Sequence, residues 1–530
     1  MTTFDTSRRT LLKGVLAAAA AAPIASAEAL QFKKGMKWDR STDVLVIGYG
    51  GAGAAAAMAA QKAGAKVLLI EKMAKGGGTT SVAGGGFIIP KNADDAFQYL
   101  SKTYDFAACE RNDTLLRTFC KGAVELKEYF RSLSPAIEIH QIGAANYPAL
   151  PHADTIEKYG VVGKGFCGGA NLFAALEKCV NDRKIPVLFS TPAKQLIRRG
   201  DEVIGAVALH NGKEIRIRAS KGVVLATGGY EYDKETLQNY AQGTDIGGLG
   251  NPGNTGDGLR MAMTMGSKLW HMTSYSCPLG MRVPGLTSLV AFGPIGGSWI
   301  VVNQDGKRFV NEKGVDFHAW YYSVNQLNTV ENRYPAIPAY VIFDEKVRHA
   351  GPIGYTMFGY ATVKEGYYWS PDSSKEVASG VVKKADTIEE LAGIIHVPAD
   401  KLKATVDTWN TGMAVGKDPE FGRPQKVNTH VKSNSFSNDS GITISAPLSK
   451  TGPYYAAALY PALLNTQGGP RRLPNAQLMT ADNKPIGRLF SAGELGSMWG
   501  SIYQGSSNIA ECLVFGQIAG KSAAQLKAWK

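Results

Sequence analysis

The run Asp43-Val-Leu-Val-Ile-Gly-Tyr-Gly-Gly-Ala-Gly53 constrains this chain more than any other stretch. Val44 to Ile47 is apolar throughout, as a strand buried on both faces must be. Gly48, Gly50 and Gly53 follow at G-x-G-x-x-G spacing. The first glycine of such a turn bends the chain, the second admits a pyrophosphate to the backbone, and the third lets helix pack on strand. The spacing predicts a helix over 52–63, with Gly51 and Ala52 at its positive N-terminus facing the pyrophosphate. Glu71, followed by Lys72, closes a second strand about twenty residues on, where an acid binds a ribose 2′-hydroxyl. Strand, turn, helix, strand and acid in this order predict a dinucleotide-binding α/β fold.

With 530 residues the chain can bury a large core and is expected to form two domains or more. The 61 glycines fall mostly in compact clusters, as backbone packed against a ligand requires. Residues 1–27 read as a targeting segment. Ser7-Arg8-Arg9-Thr10-Leu11-Leu12-Lys13 resembles a twin-arginine export signal, an alanine-rich apolar stretch follows, and Ala25-Ser26-Ala27 offers a cleavage site. That route carries folded proteins, so a periplasmic or otherwise exported enzyme that takes up its cofactor before export is expected. No later apolar run is long enough to span a bilayer. The segment carries a net +2, leaving +11 of the formal +13 spread thinly, and no nucleic-acid module is recognisable. Cysteines 109, 120, 167, 179, 277 and 512 form neither C-x-x-C nor C-x-x-C-H, so no haem attachment and no metal site is expected.

Along the chain, Lys75 to Gly86 clusters glycines with Thr79, Thr80 and Ser81, donors suited to an anion or a ring edge. Residues 94–130 read as amphipathic helices, 135–151 as irregular, and 171–180 as another helix. Strands are predicted over 193–198, 203–210 and 214–219, with an Asn211-Gly212 hairpin. A further strand from Gly222 ends in the glycine turn Ala226-Thr-Gly-Gly229, at the carboxyl end where open α/β sheets bind ligands. Asn254-Thr-Gly-Asp-Gly258 opens a helix over 259–265. From Lys268 the texture turns aromatic and proline-rich, reading as an inserted domain. Four units follow: 1–27 signal, 41–267 first part of the nucleotide domain, 268–446 capping domain, and 447–530 second part. The last begins near Pro447 and ends with a helix over 508–525. The fold class is α/β, a Rossmann-like domain with an inserted α+β capping domain.

These pieces together resemble the fumarate reductase/succinate dehydrogenase flavoprotein family, including flavocytochrome-type reductases and 3-ketosteroid dehydrogenases. The likeness runs from Asp43 to nearly the end of the chain. Further matches are Gly306-Lys-Arg-Phe-Val-Asn-Glu312, Asn465-Thr-Gln-Gly-Gly469, Asp418-Pro-Glu-Phe-Gly-Arg423 and Gly493-Glu494 before the last helix. The resemblance implies FAD, held without a covalent bond because no histidine stands at an obvious flavinylation position. It places the pyrophosphate on Gly48, Gly50, Gly53 and the following helix, and the adenosine ribose on Glu71. Gly78, Thr79, Thr80, Gly84 and Gly85 would line the flavin, with Ala226, Thr227 and Gly228 adjoining and Asp257 near the ring. Ala193 would meet adenine through its backbone, and Glu494 the ribityl chain. Ser507, Asn508 and Ile509, at the last helix's N-terminus, would face the pyrimidine end of the ring, where reduced flavin carries negative charge.

The departures from the family narrow the substrate. Where fumarate reductases place a proton-donating arginine, eight residues after Arg308, this chain has Asp316. Asn465 replaces a carboxylate-binding histidine, and Tyr503 replaces a second substrate arginine; a further histidine falls near Cys277. Bidentate capture of carboxylates needs guanidinium groups, so a dicarboxylate is not expected. Tyr503-Gln-Gly505 resembles the Y-P-G of 3-ketosteroid Δ1-dehydrogenases, whose tyrosine donates to a carbonyl. The expected reaction is hydride transfer at a C–C or C=C bond beside a carbonyl, more in the reductive sense. Tyr503 would hold the carbonyl, Asp316 would act as acid–base, Tyr322 and Tyr321 stand in reserve, and Asn465 would orient the substrate. Asp316 also suits a plain helix cap, and His318 either lines the pocket or is structural. Export and the lack of an NAD signature imply a separate cytochrome c or quinol-linked electron donor. A 3-ketosteroid-type dehydrogenase and an FAD-carrying electron-transfer subunit are the alternatives.

Overall fold

The computed structural model describes residues 28–105, 107, 109–163, 168–425 and 443–530. The segment read as an export signal and Cys167 lie outside them. The long apolar strand Arg40–Ile47 is central to a nine-stranded sheet. It pairs in parallel with Val67–Ile70 on one side and with Lys213–Leu225 on the other. Pro485–Ser491 and Val187–Leu188 extend the parallel part in both directions. Val44, Leu45 and Val46 are fully buried, which is what helices and strands covering both faces of a parallel sheet demand.

Two helices cover one face of this strand. Gly51–Lys62 leaves the glycine turn, and Ser507–Gln525 closes the chain against it. Their alanines and glycines permit near backbone contact: a Cβ on Gly520 would stand 2.0 Å from the Ala56 carbonyl oxygen. The predicted meander is present, Ala193–Arg199 with Glu202–His210, and the latter with Lys213–Leu225. The strand expected from Gly222 is not separate. Lys213–Leu225 is one strand with a bulge between Ala219 and Gly222, which pairs first with the meander and then with Arg40–Ile47.

A second, seven-stranded sheet carries the capping region. Its central strand is Tyr454–Leu463, flanked by Ala339–Asp344 and Leu279–Met281 and also paired with Val382–Ala385 and Gly247–Gly248. The chain therefore does not re-enter the nucleotide sheet near Pro447, as expected; it does so at Gln477–Met479 and Pro485–Ser491. An apolar run such as 454–463 fits either sheet equally well, and only its hydrogen-bonded neighbours settle which. Two short ladders join the sheets: Leu269–Trp270 with Gly469–Pro470, and Tyr275–Ser276 with Asn465–Thr466. The region read as irregular contains the strand Ile139–Ala144, part of a third sheet with Ile156–Val161 and Phe87–Pro90. No helix among the described residues is long and apolar enough to cross a membrane.

Candidate active site

The glycine turn forms as its spacing requires. Gly48 has φ 102°, and a Cβ there would lie 2.3 Å from the Ala226 carbonyl oxygen, so the two strand ends meet backbone to backbone. A Cβ on Gly53 would strike the Gly48 carbonyl oxygen at 1.9 Å. A Cβ on Gly50, by contrast, would meet nothing nearer than the Gly77 carbonyl oxygen at 3.7 Å, an ordinary van der Waals contact. Gly50 lines a cavity of about 770 Å³, partly open to solvent, at the carboxyl ends of the parallel strands.

Most of the residues named from the sequence line this cavity. They are Gly48, Gly50, Gly51, Ala52, Glu71, Lys72, Gly78, Thr79, Thr80, Ala193, Ala226, Thr227, Gly228, Asp257 and Glu494. Glu71 is fixed by the turn, its carboxylate accepting from the Tyr49 amide at 2.7 Å and the Met73 amide at 2.8 Å. Lys72 reaches Asp257 at 2.7 Å and Thr255 Oγ1 at 2.7 Å. Thr80 Oγ1 accepts from the Gly51 amide at 3.1 Å, so the hydroxyl-rich loop is tied to the helix start. At the opposite end the buried pair Arg472 and Glu511 holds the Gly493-Glu494 turn: the guanidinium donates to the Gly493 carbonyl at 3.2 Å. Glu494 accepts from the Thr466 amide at 3.0 Å and sits beside Glu231, both contacted by Asn254.

Orphaned polar atoms gather at the start of the closing helix, which reaches the cavity through Cys512. Ser507 Oγ and both amide atoms of Asn508 are buried without a hydrogen-bond partner among the described residues. They stand in the first turn of a 19-residue helix, where free backbone N–H groups and the helix dipole favour an electron-rich ligand edge. Thr227 Oγ1, in the cavity wall, is likewise unpartnered. A dinucleotide at one end and a polar ring edge at the other satisfy this set.

The model of the FAD binding domain family matches residues 43–509. The chain belongs to this family. FAD is the cofactor the cleft is built for. Among curated proteins, this flavoprotein is 27% identical over 531 residues to the NADH:fumarate oxidoreductase of Klebsiella pneumoniae (strain 342), covering 97% of this chain and 51% of that one. It is 28% identical over 375 residues to the 3-oxosteroid 1-dehydrogenase of Mycolicibacterium smegmatis (strain ATCC 700084 / mc(2)155), covering 68% of this chain and 63% of the other. The chain thus spans about half the length of the first relative and under two thirds of the second. In fold it is similar to the 3-ketosteroid delta1-dehydrogenase of Sterolibacterium denitrificans, with a TM-score of 0.78 at 24% identity, covering 92% of this chain and 99% of that one.

Several residues of the flavoprotein stand elsewhere than their sequence positions implied. Asp257, expected near the ring, is paired with Lys72, the residue after Glu71, at 2.7 Å. Arg260 holds its other oxygen at 2.8 Å. Gly53, Gly84 and Gly85 do not line the cavity. Gly53 seals the turn from behind, and Gly85 packs on Gly168 and Gly169. Ser507, Asn508 and Ile509 are not among the residues that line this cavity, which the closing helix reaches through Cys512. Thr191, Asn251, Gly253 and Cys512 line the cavity and were missed, because nothing in their spacing marks them.

The four catalytic candidates differ in what they have free. Tyr322 is tied to backbone, its hydroxyl accepting from the Tyr275 amide at 3.0 Å and donating to the Tyr275 carbonyl at 3.4 Å. It serves as a brace. Asn465 is 6% exposed and pairs through its backbone with Ser276, while its Nδ2 has no partner among the described residues. Tyr503 is 5% exposed, and burial pushes its phenol up. Its hydroxyl oxygen accepts from the Asn508 amide at 3.0 Å. Asp316 is fully engaged. It accepts from the His318 amide and pairs with His318 Nδ1, both at 2.9 Å, and accepts from Asn146 Nδ2 at 2.6 Å. Burial pushes this carboxyl up, but His318 and Asn146 outweigh that and hold it below its ordinary value. It is a carboxylate at neutral pH and cannot serve as the proton donor expected of it. His318 in turn lies edge-on to Tyr503, ring centroids 4.9 Å apart at 81°.

Proposed function

We propose that this flavoprotein is an oxidoreductase acting on a C–C/C=C bond adjacent to a carbonyl, on a substrate that is not a dicarboxylate, chiefly in the reductive direction. The observation that carries the reading is the meeting of Tyr503, with its hydroxyl proton available, and the Asp316–His318 pair beside the first turn of the closing helix. By the family resemblance, Asp316 and Tyr503 stand where a dicarboxylate reductase would place arginines, and Asn465 where it would place a carboxylate-binding histidine. The Tyr503 hydroxyl polarises the carbonyl and stabilises enolate oxygen as it forms, a preorganised donor in a buried setting. Asn465 Nδ2 offers a second donor to a polar substituent. FAD, held by the glycine turn, Glu71 and Glu494, would supply the hydride chemistry.

Relatives named for fumarate reduction and for 3-oxosteroid dehydrogenation support the class and leave two directions. The match of Tyr503-Gln-Gly505 to the dehydrogenase motif favours, as the second reading, an oxidative 3-ketosteroid-type reaction. The Ser7–Lys13 motif supports export through the twin-arginine route, and with it a separate cytochrome c or quinol-linked electron partner. FAD is proposed to be held without a covalent bond.

The test is anaerobic turnover of the FAD-loaded full-length protein with reduced methyl viologen. Cyclohex-2-en-1-one, a 3-ketosteroid, acrylate and fumarate are the candidate acceptors. Oxidation of viologen by an enone or a monocarboxylate, with fumarate inert, is the expected result. Fumarate turnover equal to that of the others overturns the substrate assignment. Reduction of an artificial acceptor by the saturated ketone, without the reverse reaction, selects the dehydrogenase.

A further inference from the structure

The reading above requires a group that moves a proton at the carbon next to the carbonyl, and the carboxylate expected for that role is already committed. What Asp316 does instead is specific. It caps the turn Phe317–Ala319 through the His318 amide and, with the same oxygen, holds His318 Nδ1 at 2.9 Å. Its other oxygen accepts from Asn146 Nδ2, and Asn146 Oδ1 accepts in turn from the fully buried Lys158 ammonium at 2.5 Å. Gln504 Nε2 donates to the same Asn146 oxygen at 3.1 Å. Three separate parts of the chain thus fix one carboxylate whose exposed surface is 8%.

The ring it holds is equally fixed. His318 is 5% exposed, stands edge-on to Tyr503, and packs on Gly505, where a Cβ would come within 2.8 Å of Cε1. Its carbonyl accepts from the Cys277 amide at 2.8 Å. With Nδ1 bound to a carboxylate, that nitrogen carries the proton, and the remaining nitrogen, Nε2, has no hydrogen-bond partner among the described residues. A carboxylate oriented on Nδ1 sets the tautomer and stabilises the imidazolium, so that Nε2 can give up and regain a proton.

We propose that His318 Nε2 is the group that transfers the proton at the carbon alpha to the substrate carbonyl, and that Asp316 and Asn146 are positioning residues for it. The inference rests on the oxidoreductase reading above. In the reductive sense the enolate carbon supplies the electron pair of the new C–H bond. The Nε2–H bond breaks, its pair stays on nitrogen, and neutral imidazole remains, to be reprotonated from solvent. In the oxidative sense Nε2 removes the same proton. The Tyr503 hydroxyl, at the neighbouring ring, holds the oxygen of the same enolate.

The ionisable groups around His318 are Asp316 on its own turn, Lys158 through Asn146, and the phenols of Tyr503, Tyr147 and Tyr99. Burial pushes the Lys158 ammonium down to about 8, with Asp316 opposing, and raises all three phenols.

Two measurements decide the matter in FAD-loaded full-length protein. The first is ring-¹⁵N histidine NMR, with the His318 signal assigned by its loss in His318→Gln. An Nδ1–H tautomer is expected, and Asp316→Asn should alter the tautomer signature of that ring. A His318 signal indifferent to Asp316→Asn overturns the positioning role. The second is viologen-driven reduction of cyclohex-2-en-1-one in D₂O. His318→Gln should lower kcat at least 100-fold, within the range of general acid loss, with flavin content and KM changed little, and should change the shape of the pH profile. His318→Gln with the wild-type rate and pH profile overturns His318 as proton carrier while leaving the functional reading intact. A wild-type protein inert to every acceptor overturns that reading, and this proposal with it.

Discussion

The Asn508 amide donates to the Tyr503 hydroxyl oxygen at 3.0 Å, joining the first turn of the closing helix to the residue that replaces a family arginine. The bond uses a lone pair of the hydroxyl and leaves its proton for another acceptor. Burial keeps the phenol neutral well above pH 7. Tyr503→Phe should fold and retain FAD, yet lose about 10²–10³-fold in kcat/KM toward cyclohex-2-en-1-one, the size expected of one lost oxyanion donor. Unchanged steady-state kinetics would remove Tyr503 from the reaction.

Glu71 illustrates a carboxylate held by the turn it closes. Burial pushes its carboxyl up, while the Met73 and Tyr49 amides oppose. Glu71→Gln preserves shape but replaces one acceptor by an amide group facing an N–H, at about 1–3 kcal/mol of stability. FAD affinity, read by flavin fluorescence, should fall at least about tenfold, equivalent to one lost charge-assisted hydrogen bond. Wild-type affinity would confine Glu71 to supporting the turn.

Packing of the two long helices makes a sharp pair of glycine substitutions. Gly520→Ala places a methyl 2.0 Å from the Ala56 carbonyl and should lower stability by about 1–3 kcal/mol, as overpacking does. Gly393, within the helix Ile388–Ile395, has nothing within 4 Å of such a methyl. Gly393→Ala should instead raise stability by about 0.4–1 kcal/mol. Thermal unfolding of both variants reads the contrast; similar Tm values would contradict the packing.

Glu231 and Glu494, the latter in the cavity wall, both face Gly229, where a Cβ would meet Glu494 Oε1 at 2.4 Å and Glu231 Oε2 at 2.8 Å. Burial pushes both carboxyls above their ordinary value of 4.5; Glu231 raises Glu494 further, while the hydrogen bond with Glu494 opposes the rise at Glu231. The folded protein thus binds protons that the unfolded chain releases. Their contribution is fully present below the unfolded value and is lost as pH rises through the raised folded values. Urea midpoints of FAD-free protein should fall between about pH 5 and about pH 8, and Glu231→Gln should flatten that fall. An undiminished slope in Glu231→Gln would place the titration elsewhere.

What the sequence determined alone was local and periodic. Gly48 and Gly53 announce a turn with no room for side chains, and residues 44–47 announce a doubly covered strand, because both follow from sterics within a few residues. The glycine turn that lines the cleft was legible for that reason, and so was the start of the closing helix at Ser507.

Tertiary structure decided the rest, through pairings that period cannot encode. The apolar run Tyr454–Leu463 suits either sheet, and only hydrogen bonding to Ala339–Asp344 makes it the centre of the second. Asp316 read as the acid because it stands at a family position. Asn146, 170 residues away, and Lys158 behind it turn that acid into a fixed anion. A carboxylate's protonation state is set by burial and by what is brought against it, and contacts at that separation exist only once the chain has folded.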